Sequence, residues 1–273
     1  MATDFLTQIV KQKGREISQA RKVIAEGRLA ELARQRSDFR PFFESLSRPG
    51  AAGVNIIAEI KRASPSKGDI RPDLDASRTA AQYEKGGAAA VSVLTDSTYF
   101  KGSLEDLKAA RSACMLPVLR KEFIISRYQV FESAAAGADA ILLIARILVP
   151  EKLDQLYGLC RGLGMDALVE IHTPDDARTV AACGARLVGI NNRNLSTFET
   201  DVALAMDLVS RLAPGQVPVA ASGISGPVDI QQNLKAGIFN FLVGESIVRS
   251  DDPARFIRDL MGEGSGGAAS GQR

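Results

Sequence analysis

One pattern recurs along the chain: a glycine ends a helical stretch, and a short apolar run follows almost at once. The pattern begins at four glycines, Gly87, Gly137, Gly184 and Gly237. Glycine adopts a positive φ at little cost and therefore often follows the last residue of a helix. Each of the four places is thus predicted to combine the end of a helix with the start of a strand.

Further short apolar runs lie between these repeats, so a period of about 50 residues contains two strand-helix units. Capping sequences predict helix starts at Ser103 and Thr173 in the same scheme. Strands that alternate with helices of roughly 10–15 residues run parallel to one another. The predicted strands lie near residues 55–61, 89–94, 117–121, 139–144, 167–171, 187–190, 217–221 and 240–243.

These units could form an open doubly wound sheet or a closed barrel. Eight units of similar length, with no Gly-x-Gly-x-x-Gly fingerprint after the first strand, favour a single α/β domain, a (β/α)8 TIM barrel over residues 46–262. Residues 1–45 are predicted to be a helical extension packed on the barrel, with Lys11, Lys13 and Lys22 on a solvated face. The Gly/Ser-rich tail, residues 263–273, is expected to be disordered.

The composition is that of an ordinary globular protein, with 45% hydrophobic residues, 24% charged residues and a net charge of +2. Because no long basic stripe is present, we expect no nucleic-acid partner. Neither a secretory signal nor an apolar stretch of roughly 18 residues is found, so we expect no membrane partner. Cys114, Cys160 and Cys183 are expected to be reduced. Together these features predict a cytoplasmic protein; we expect a monomer or weak homo-oligomer, although no sequence feature determines the oligomeric state.

Charged and polar residues follow several of the predicted strands, where the catalytic groups of such barrels lie. Two-residue spacing puts Glu59 and Lys61 on one face of the first strand. Lys121 ends the third strand, Glu170 ends the fifth, and Asn191 and Arg193 follow the sixth. Any one of these groups could belong to an ion pair that closes the barrel mouth. Taken together, they favour a concave site for an anionic substrate, because burying several charges requires good pairing.

The last quarter of the chain predicts a phosphate site. Ser222 and Gly223 follow the seventh strand, and Gly244 and Glu245 follow the eighth. Small residues at these turns let backbone N–H groups approach a phosphate. Each motif alone is weak, because glycine is common in tight turns; the two together, at the expected positions, favour an anion site.

His172 is the one histidine of the chain and follows Glu170 at the end of the fifth strand. A general-base role is conceivable there, but a lone histidine is more often structural. Since the sequence also has no Cys/His cluster, we predict no metal site.

The sequence strongly resembles the indole-3-glycerol-phosphate synthase family of tryptophan biosynthesis, from about Asn55 to Met261. Five segments in the same order make the resemblance specific, whereas each alone would be only suggestive. They are residues 57–68 (IAEIKRASPSKG), 92–96 (SVLTD), 117–124 (PVLRKEFI), 168–170 (LVE) and 189–194 (GINNRN).

The resemblance implies a lyase without a cofactor. Its substrate would be a phosphorylated anilino-sugar, 1-(2-carboxyphenylamino)-1-deoxy-D-ribulose 5-phosphate, which closes to an indole ring with loss of carbon dioxide and water. In the mechanism that we expect, Lys121 is the general acid on the ketone oxygen and Glu170 is the first candidate for the base. Glu59 and Lys61 form a paired acid/base or orienting set.

The binding residues are expected to divide among three parts of this substrate. Phe123, Leu142 and Leu242 would hold the aromatic ring. The resemblance implies that the carboxylate and sugar hydroxyls are bound by Ser64, Asn191 and Arg193. It also implies that the phosphate is bound by Ser222, Gly223, Gly244 and Glu245.

Two positions depart from the family pattern. Ala221 stands where the family often has a glutamate, so a carboxylate that could orient Lys61 is absent. Glu245 stands where the family often has a serine, so its side chain is expected to turn away from the phosphate. Neither change removes a predicted catalytic group. The alternatives are a phosphoribosyl isomerase, a Schiff-base aldolase, or a barrel that binds phosphorylated ligands without catalysis.

Overall fold

Eight parallel strands form a closed barrel in the computed structural model, which describes residues 5–194, 199–201 and 203–263. Each strand pairs with the next along the chain, and the last pairs with the first, Asn55 lying opposite Asn240. A separate two-stranded hairpin, Ala63–Ser64 with Gly68–Asp69, follows the first strand. The barrel strands are β1 (Asn55–Ile60), β2 (Ala90–Leu94), β3 (Val118–Lys121), β4 (Ala140–Ile144), β5 (Asp166–Ile171), β6 (Leu187–Asn191), β7 (Val217–Ala221) and β8 (Asn240–Val243).

Helices precede the barrel, connect its strands and follow the last strand. The first group is α1 (Phe5–Val23), α2 (Glu26–Gln35) and α3 (Phe42–Leu46). The second group is α4 (Ala76–Lys85), α5 (Ser97–Phe100), α6 (Leu104–Ala113), α7 (Arg127–Ala136), α8 (Pro150–Gly162), α9 (Pro174–Ala182), α10 (Leu204–Val209), α11 (Pro227–Lys235), α12 (Glu245–Arg249) and α13 (Pro253–Leu260), with a 3-10 turn at Ala145–Ile147. No helix in the described part of the chain is long and apolar enough to cross a bilayer.

The predicted barrel is confirmed, and its strand limits lie close to the predicted ones. All four glycines of the repeating pattern have positive φ, between 70° at Gly184 and 101° at Gly137. Both predicted helix starts are also confirmed. The Ser103 hydroxyl accepts a hydrogen bond from the Asp106 N–H, and Thr173 forms a capping box with Asp176.

Strand alternation separates a barrel interior from a shell that packs against the helices. Ile57, Leu119, Leu168 and Leu242 belong to one interior cluster, whereas Ile56 and its outward-facing counterparts pack with the helices. Successive side chains of a strand point to opposite faces. The residues two positions beyond the first three interior ones are therefore also interior, at the C-terminal ends of their strands: Glu59, Lys121 and Glu170.

The N-terminal helices contact both ends of the barrel. Leu6 and Ile9 of α1, and Phe42 and Leu46 of α3, all join the interior cluster. The α3 end is the N-terminal one, because the Phe43 N–H donates to Asp166 at the start of β5 (2.9 Å). The described residues end at 263, so residues 264–273 of the predicted tail lie outside them.

The prediction of a solvated face on α1 is correct for Lys11 and Lys22 and wrong for Lys13. Lys11 and Lys22 are exposed, whereas the Lys13 side chain is only 3% exposed. Its ammonium ion-pairs with three carboxylates, and two of them lie outside α1. Burial of a lysine requires such pairing, and these partners could not be inferred from the charge pattern of the helix.

The three cysteines are free thiols, as predicted. Cys114 and Cys160 are buried, and Cys183 is half-buried. Burial raises the pKa of the Cys160 thiol, with a further contribution from nearby Asp166. This thiol is therefore neutral and packs as a small apolar side chain.

Candidate active site

A cavity of about 380 Å³ opens at the C-terminal ends of the barrel strands. Such a volume is in the usual range for a small-molecule site. All the residues that the sequence assigned to catalysis or binding line this one cavity: Glu59, Lys61, Ser64, Lys121, Phe123, Leu142, Glu170, Asn191, Arg193, Ser222, Gly223, Leu242, Gly244 and Glu245.

Lys121 and Glu170 form an ion pair inside the cavity. The Lys121 Nζ donates to Glu170 Oε2 at 2.9 Å, and their side chains are 15% and 3% exposed. The other oxygen of Glu170 accepts a hydrogen bond of 3.1 Å from the Asn191 side-chain amide. Glu170 is therefore held from both sides, with one carboxylate oxygen on each partner.

The charges in the cavity shift both members of this pair toward their ionised forms. Burial alone would lower the pKa of Lys121, but attraction to Glu170 and Glu59 outweighs burial and raises this pKa above its ordinary value. Burial alone would raise the pKa of Glu170, but Lys121, His172 and the Asn191 hydrogen bond lower it. An ammonium and a carboxylate are therefore present together at neutral pH. The sequence could not predict the direction of the lysine shift.

Glu59 and Lys61 form a second ion pair beside the first, with 2.8 Å between Lys61 Nζ and Glu59 Oε1. The shared face that their spacing predicted is confirmed. Gly244 packs directly against this pair, since a Cβ at that position would lie 2.5 Å from Glu59 Oε1 and 3.1 Å from Lys61 Nζ. A side chain at position 244 would therefore displace this ion pair.

Barrel geometry explains why these groups converge. In a (β/α)8 barrel, alternate strands contribute the four side chains of one interior layer. Following the strand registers around the barrel puts Glu59 of β1, Lys121 of β3, Glu170 of β5 and Ala221 of β7 in one such layer. Three of its positions are charged, and the fourth is the small Ala221, which also lines the cavity.

The turns after β7 and β8 line the far end of the cavity. Ser222 and Gly223 both have positive φ, 67° and 80°, which is unusual for a serine. The side-chain amide of Asn192 donates to the Ser222 carbonyl at 3.0 Å and holds this turn. Glu245 pairs with Arg249 at 3.1 Å, so its carboxylate has a cationic partner at this end of the cavity.

Two polar groups on the cavity wall make no hydrogen bond within the described part of the chain. They are the buried Ser64 hydroxyl and the Nε of Arg193. The Arg193 guanidinium otherwise donates to Ser66, from the hairpin after β1, at 3.0 Å. Buried polar groups are rarely left unpaired, so both are candidates for binding polar substrate groups.

An apolar wall, which we define as Phe5, Ile9, Phe100, Phe123, Leu142 and Leu242, also lines the cavity. The rings of Phe100 and Phe123 lie 6.2 Å apart at a tilt of 38°. The wall residues on β4 and β8 and after β3 are those predicted from the sequence. Phe5 and Ile9 were not predicted, because the apolar spacing of α1 is also that of an ordinary packed helix, and neither was Phe100 of α5.

His172 is buried beside the ion pair, with its Nε2 3.7 Å from Glu170 Oε1. It is not among the residues that line the cavity, and its ring nitrogens make no hydrogen bond within the described residues. A structural role for His172 stays a prediction. The described residues contain no group of three or more His, Cys, Asp or Glu side chains arranged to hold a metal ion.

The fold and the cavity define a class of protein: a (β/α)8 barrel with a buried lysine–glutamate pair in a cavity at the C-terminal ends of its strands. The family model for indole-3-glycerol phosphate synthase matches residues 6–260. The chain belongs to this family.

Relatives of high identity agree with this assignment. The chain is 58% identical to indole-3-glycerol phosphate synthase from Desulfosudis oleivorans, over 94% of this chain and 98% of the relative. It is 49% identical to the enzyme of that name from Syntrophobacter fumaroxidans, over 95% and 98%. These matches do not favour the isomerase, aldolase or non-catalytic alternatives.

A solved structure supports the fold alone. The 3-hexulose-6-phosphate synthase from Salmonella typhimurium superposes with a TM-score of 0.61 at 13% identity, covering 77% of this chain and 98% of that one. At this identity the likeness confirms the barrel and says nothing about the substrate.

Proposed function

We propose that this protein closes the indole ring of 1-(2-carboxyphenylamino)-1-deoxy-D-ribulose 5-phosphate, giving indole-3-glycerol phosphate, carbon dioxide and water in tryptophan biosynthesis. The carrying observation is the buried Lys121–Glu170 pair in a chain that matches this family over residues 6–260. The proposal includes a small phosphorylated substrate, a cytoplasmic monomer or weak homo-oligomer, and no nucleic-acid or membrane partner.

Lys121 is the general acid of the ring-closing step. Its raised pKa keeps the ammonium protonated at neutral pH. The ammonium donates its proton to the ketone oxygen while the ring carbon that bears the carboxylate attacks the ketone carbon. A positioned acid of this kind contributes roughly 10²–10⁴-fold to the rate.

Decarboxylation follows from the chemistry of the cyclised intermediate and requires no cofactor. Ring closure breaks the aromaticity of the benzoate ring and leaves a positive charge on the conjugated nitrogen. The electron pair of the bond to the carboxylate then flows into the ring and neutralises that nitrogen. Carbon dioxide leaves, and the aromatic ring is restored.

Dehydration completes the indole, with Lys61 as the acid and Glu170 as the base. Lys61 protonates the departing hydroxyl, which leaves as water, and Glu59 orients Lys61 through their 2.8 Å ion pair. Glu170 removes a proton from the carbon next to nitrogen in the new five-membered ring. Its lowered pKa keeps it ionised and ready for this step.

The protons balance over the cycle. Two are donated by lysines and one is taken up by Glu170, which lies 2.9 Å from Lys121 and can return its proton there. Lys61 regains its proton from solvent. This net uptake of one proton is required, because a carboxylate leaves as neutral carbon dioxide.

Different parts of the cavity bind three parts of the substrate. The apolar wall takes the aromatic ring, and Ser64, Asn191 and Arg193 take the carboxylate and sugar hydroxyls. The phosphate lies at the backbone N–H groups of Ser222, Gly223, Gly244 and Glu245. The Glu245 side chain contributes no favourable contact there; its pairing with Arg249 offsets its repulsion of the phosphate.

The direct test is turnover by the purified wild-type protein. It is incubated with the anilino-ribulose phosphate, while indole fluorescence and released carbon dioxide are followed together. One carbon dioxide per indole is expected, without added metal or cofactor. Failure to form indole, or a borohydride-trapped adduct on Lys121, would show that the proposed reaction is wrong.

A further inference from the structure

Lys13 connects α1 to the segments that follow two barrel strands. Its Nζ lies 2.6 Å from Asp96 Oδ2, 3.0 Å from Glu122 Oε1 and 2.8 Å from Glu16 Oε2. Asp96 follows β2, and Glu122 follows directly after Lys121 at the end of β3. One ammonium therefore joins three segments at the catalytic end of the barrel.

Each of the two barrel carboxylates also holds an aromatic residue of the apolar wall. Asp96 Oδ1 caps α5 and accepts from the Phe100 N–H at 3.2 Å. Glu122 Oε1 accepts from the Phe123 N–H at 2.9 Å. The two aromatic rings that contact each other in the wall are thus held through their backbones by the two carboxylates that bind Lys13.

The third part of the wall comes from the helix that carries Lys13. Phe5, Ile9 and Lys13 are spaced by four residues, which puts them on one face of α1. The ion pairs of Lys13 therefore fix the same face that presents Phe5 and Ile9 to the cavity. The Phe5 ring also meets Tyr99 of α5 edge-on, with centroids 5.2 Å apart.

The Lys13 charge is permanent at physiological pH. Burial would lower its pKa, but the carboxylates of Glu122 and Asp96 outweigh burial and raise this pKa above the ordinary lysine value. Removing the ammonium would leave both carboxylates, which are at most 4% exposed, without their closest cation. Asp96 would then have no ion-pair partner among the described residues, and Glu122 would retain only Arg120, 3.8 Å away. A buried carboxylate that loses its closest cation draws in water or moves toward it, and the attached wall residues would move with it.

We propose that Lys13 is a positioning residue that sets the apolar wall for the aromatic ring of the substrate. It acts through Asp96 and Glu122 on Phe100 and Phe123, and directly through α1 on Phe5 and Ile9. This inference rests on the proposed function, since the wall is assigned to the ring of that substrate. A charged residue that does not itself line the cavity thus controls the affinity for an aromatic group.

The test compares binding of the whole ligand with binding of its anionic part alone. Dissociation constants for indole-3-glycerol phosphate and for inorganic phosphate are measured on wild type, Lys13→Met and Lys11→Met. Lys11 is the matched control, an exposed lysine on the same helix. Lys13→Met is expected to weaken indole-3-glycerol phosphate about tenfold, or ~1.4 kcal/mol, and to leave phosphate within about twofold.

Kinetics give a second readout that mere loosening of the fold would not produce. The wall contacts the ring in both ground state and transition state, so its displacement raises KM more than it lowers kcat. Lys13→Arg, which keeps the positive charge, is expected to recover most of the lost affinity, and Lys11→Met is expected to match wild type.

An unchanged affinity for indole-3-glycerol phosphate in Lys13→Met would overturn the inference, and so would an equal weakening of both ligands. If Lys13→Met does not fold, Asp96→Asn takes its place, because it removes one charged partner and keeps a side-chain oxygen for the α5 cap; the same selective loss is expected.

Wild-type turnover is measured in parallel. Normal turnover with unselective binding would refute the role of Lys13 alone, whereas absent turnover would refute the proposed function.

Discussion

Lys121 at the end of β3 reaches past β4 to Glu170 at the end of β5, and their charged atoms lie 2.9 Å apart. The two residues are partners because alternate strands of the barrel share an interior layer. The same layer brings Glu59 within electrostatic reach of Lys121. The acid and the base of the proposed reaction are thus brought together by strand parity and barrel geometry.

The first prediction concerns the pH dependence of Glu170→Gln. In the wild type, Glu170 and Glu59 raise the pKa of Lys121 above its ordinary value of 10.5. The folded state therefore favours the charged form of Lys121. The resulting stabilisation of the fold is present below pH 10.5 and is lost as the pH rises through the folded-state pKa of Lys121. Without the Glu170 charge, burial dominates, and the pKa of Lys121 falls. The alkaline decline of the residual kcat is therefore expected to move to lower pH.

Profiles of kcat against pH for wild type, Glu170→Gln and Glu105→Gln test this prediction. Glu105 is an exposed glutamate that pairs with Lys108 on α6, and its variant is expected to follow the wild-type profile. An alkaline decline at the same pH in Glu170→Gln and wild type would show that Glu170 does not control the Lys121 proton.

The second prediction concerns close packing at Gly244. Its φ of −122° lies outside the left-handed region, and an alanine there would bring a methyl group against charged side chains. That methyl would press on Glu59 and Lys61. Displacement of a catalytic group by about 1 Å can cost roughly 10²-fold in rate, and kcat is expected to fall by about this factor. Gly226→Ala is the control, since nothing lies within 4 Å of its added Cβ; equal kcat values for the two variants would contradict the packing argument.

The third prediction concerns the negative charge of Glu245 at the proposed phosphate site. Glu245→Ser removes a negative charge from the proposed phosphate site and releases Arg249, which is half exposed. KM is expected to fall about two- to fivefold, the size of effect that a partly exposed charge pair produces. The improvement should diminish as salt is raised, because exposed charges are screened. A KM that rises in Glu245→Ser at low salt would place the phosphate elsewhere.

The fourth prediction separates stability from catalysis. Asp139 is buried at the N-terminal end of β4, where its carboxylate binds Arg36 and Arg111 and accepts from two backbone N–H groups. Asp139→Asn is expected to lower the free energy of unfolding by roughly 3–5 kcal/mol, because Arg36 and Arg111 lose their fully buried carboxylate and keep only the exposed one of Asp38. Asp38→Asn, whose side chain is 69% exposed beside the same arginines, should cost at most about 1 kcal/mol.

Denaturant unfolding measures both stabilities, and kcat is measured where both variants are folded. The two kcat values are expected to equal that of wild type, since this cluster lies at the end of the barrel opposite the cavity. Equal losses of stability in the two variants would contradict the assignment of the stabilising charge to Asp139.

Local rules predicted most of the fold. Glycine adopts a positive φ at little cost, and the glycines at 87, 137, 184 and 237 all have one, so they indicated the helix ends correctly. Ser103 and Thr173 cap helices through contacts only three residues away. Parity within a strand likewise brought Glu59 and Lys61 together. Each of these features depends on neighbours in the sequence.

Contacts between distant segments could not be predicted in the same way. In the sequence, Lys13 is indistinguishable from a surface lysine, because only folding of the barrel brings Asp96 and Glu122 close to it. Phe5 and Ile9 could pack against any apolar surface. Their contact with the cavity depends on the position of α1 in the folded protein, which the sequence pattern does not give. The pKa of Lys121 depended on the sum of burial and two carboxylates from other strands.

The most direct test of the central claim is kcat for ring closure in Lys121→Met, measured by indole fluorescence and compared with Lys108→Met, whose lysine is 51% exposed on α6. Lys121→Met is expected to lose roughly 10²–10⁴-fold in kcat while it still binds indole-3-glycerol phosphate, and Lys108→Met is expected to retain wild-type kcat. A normal kcat in folded Lys121→Met would contradict the assignment of Lys121 as the general acid.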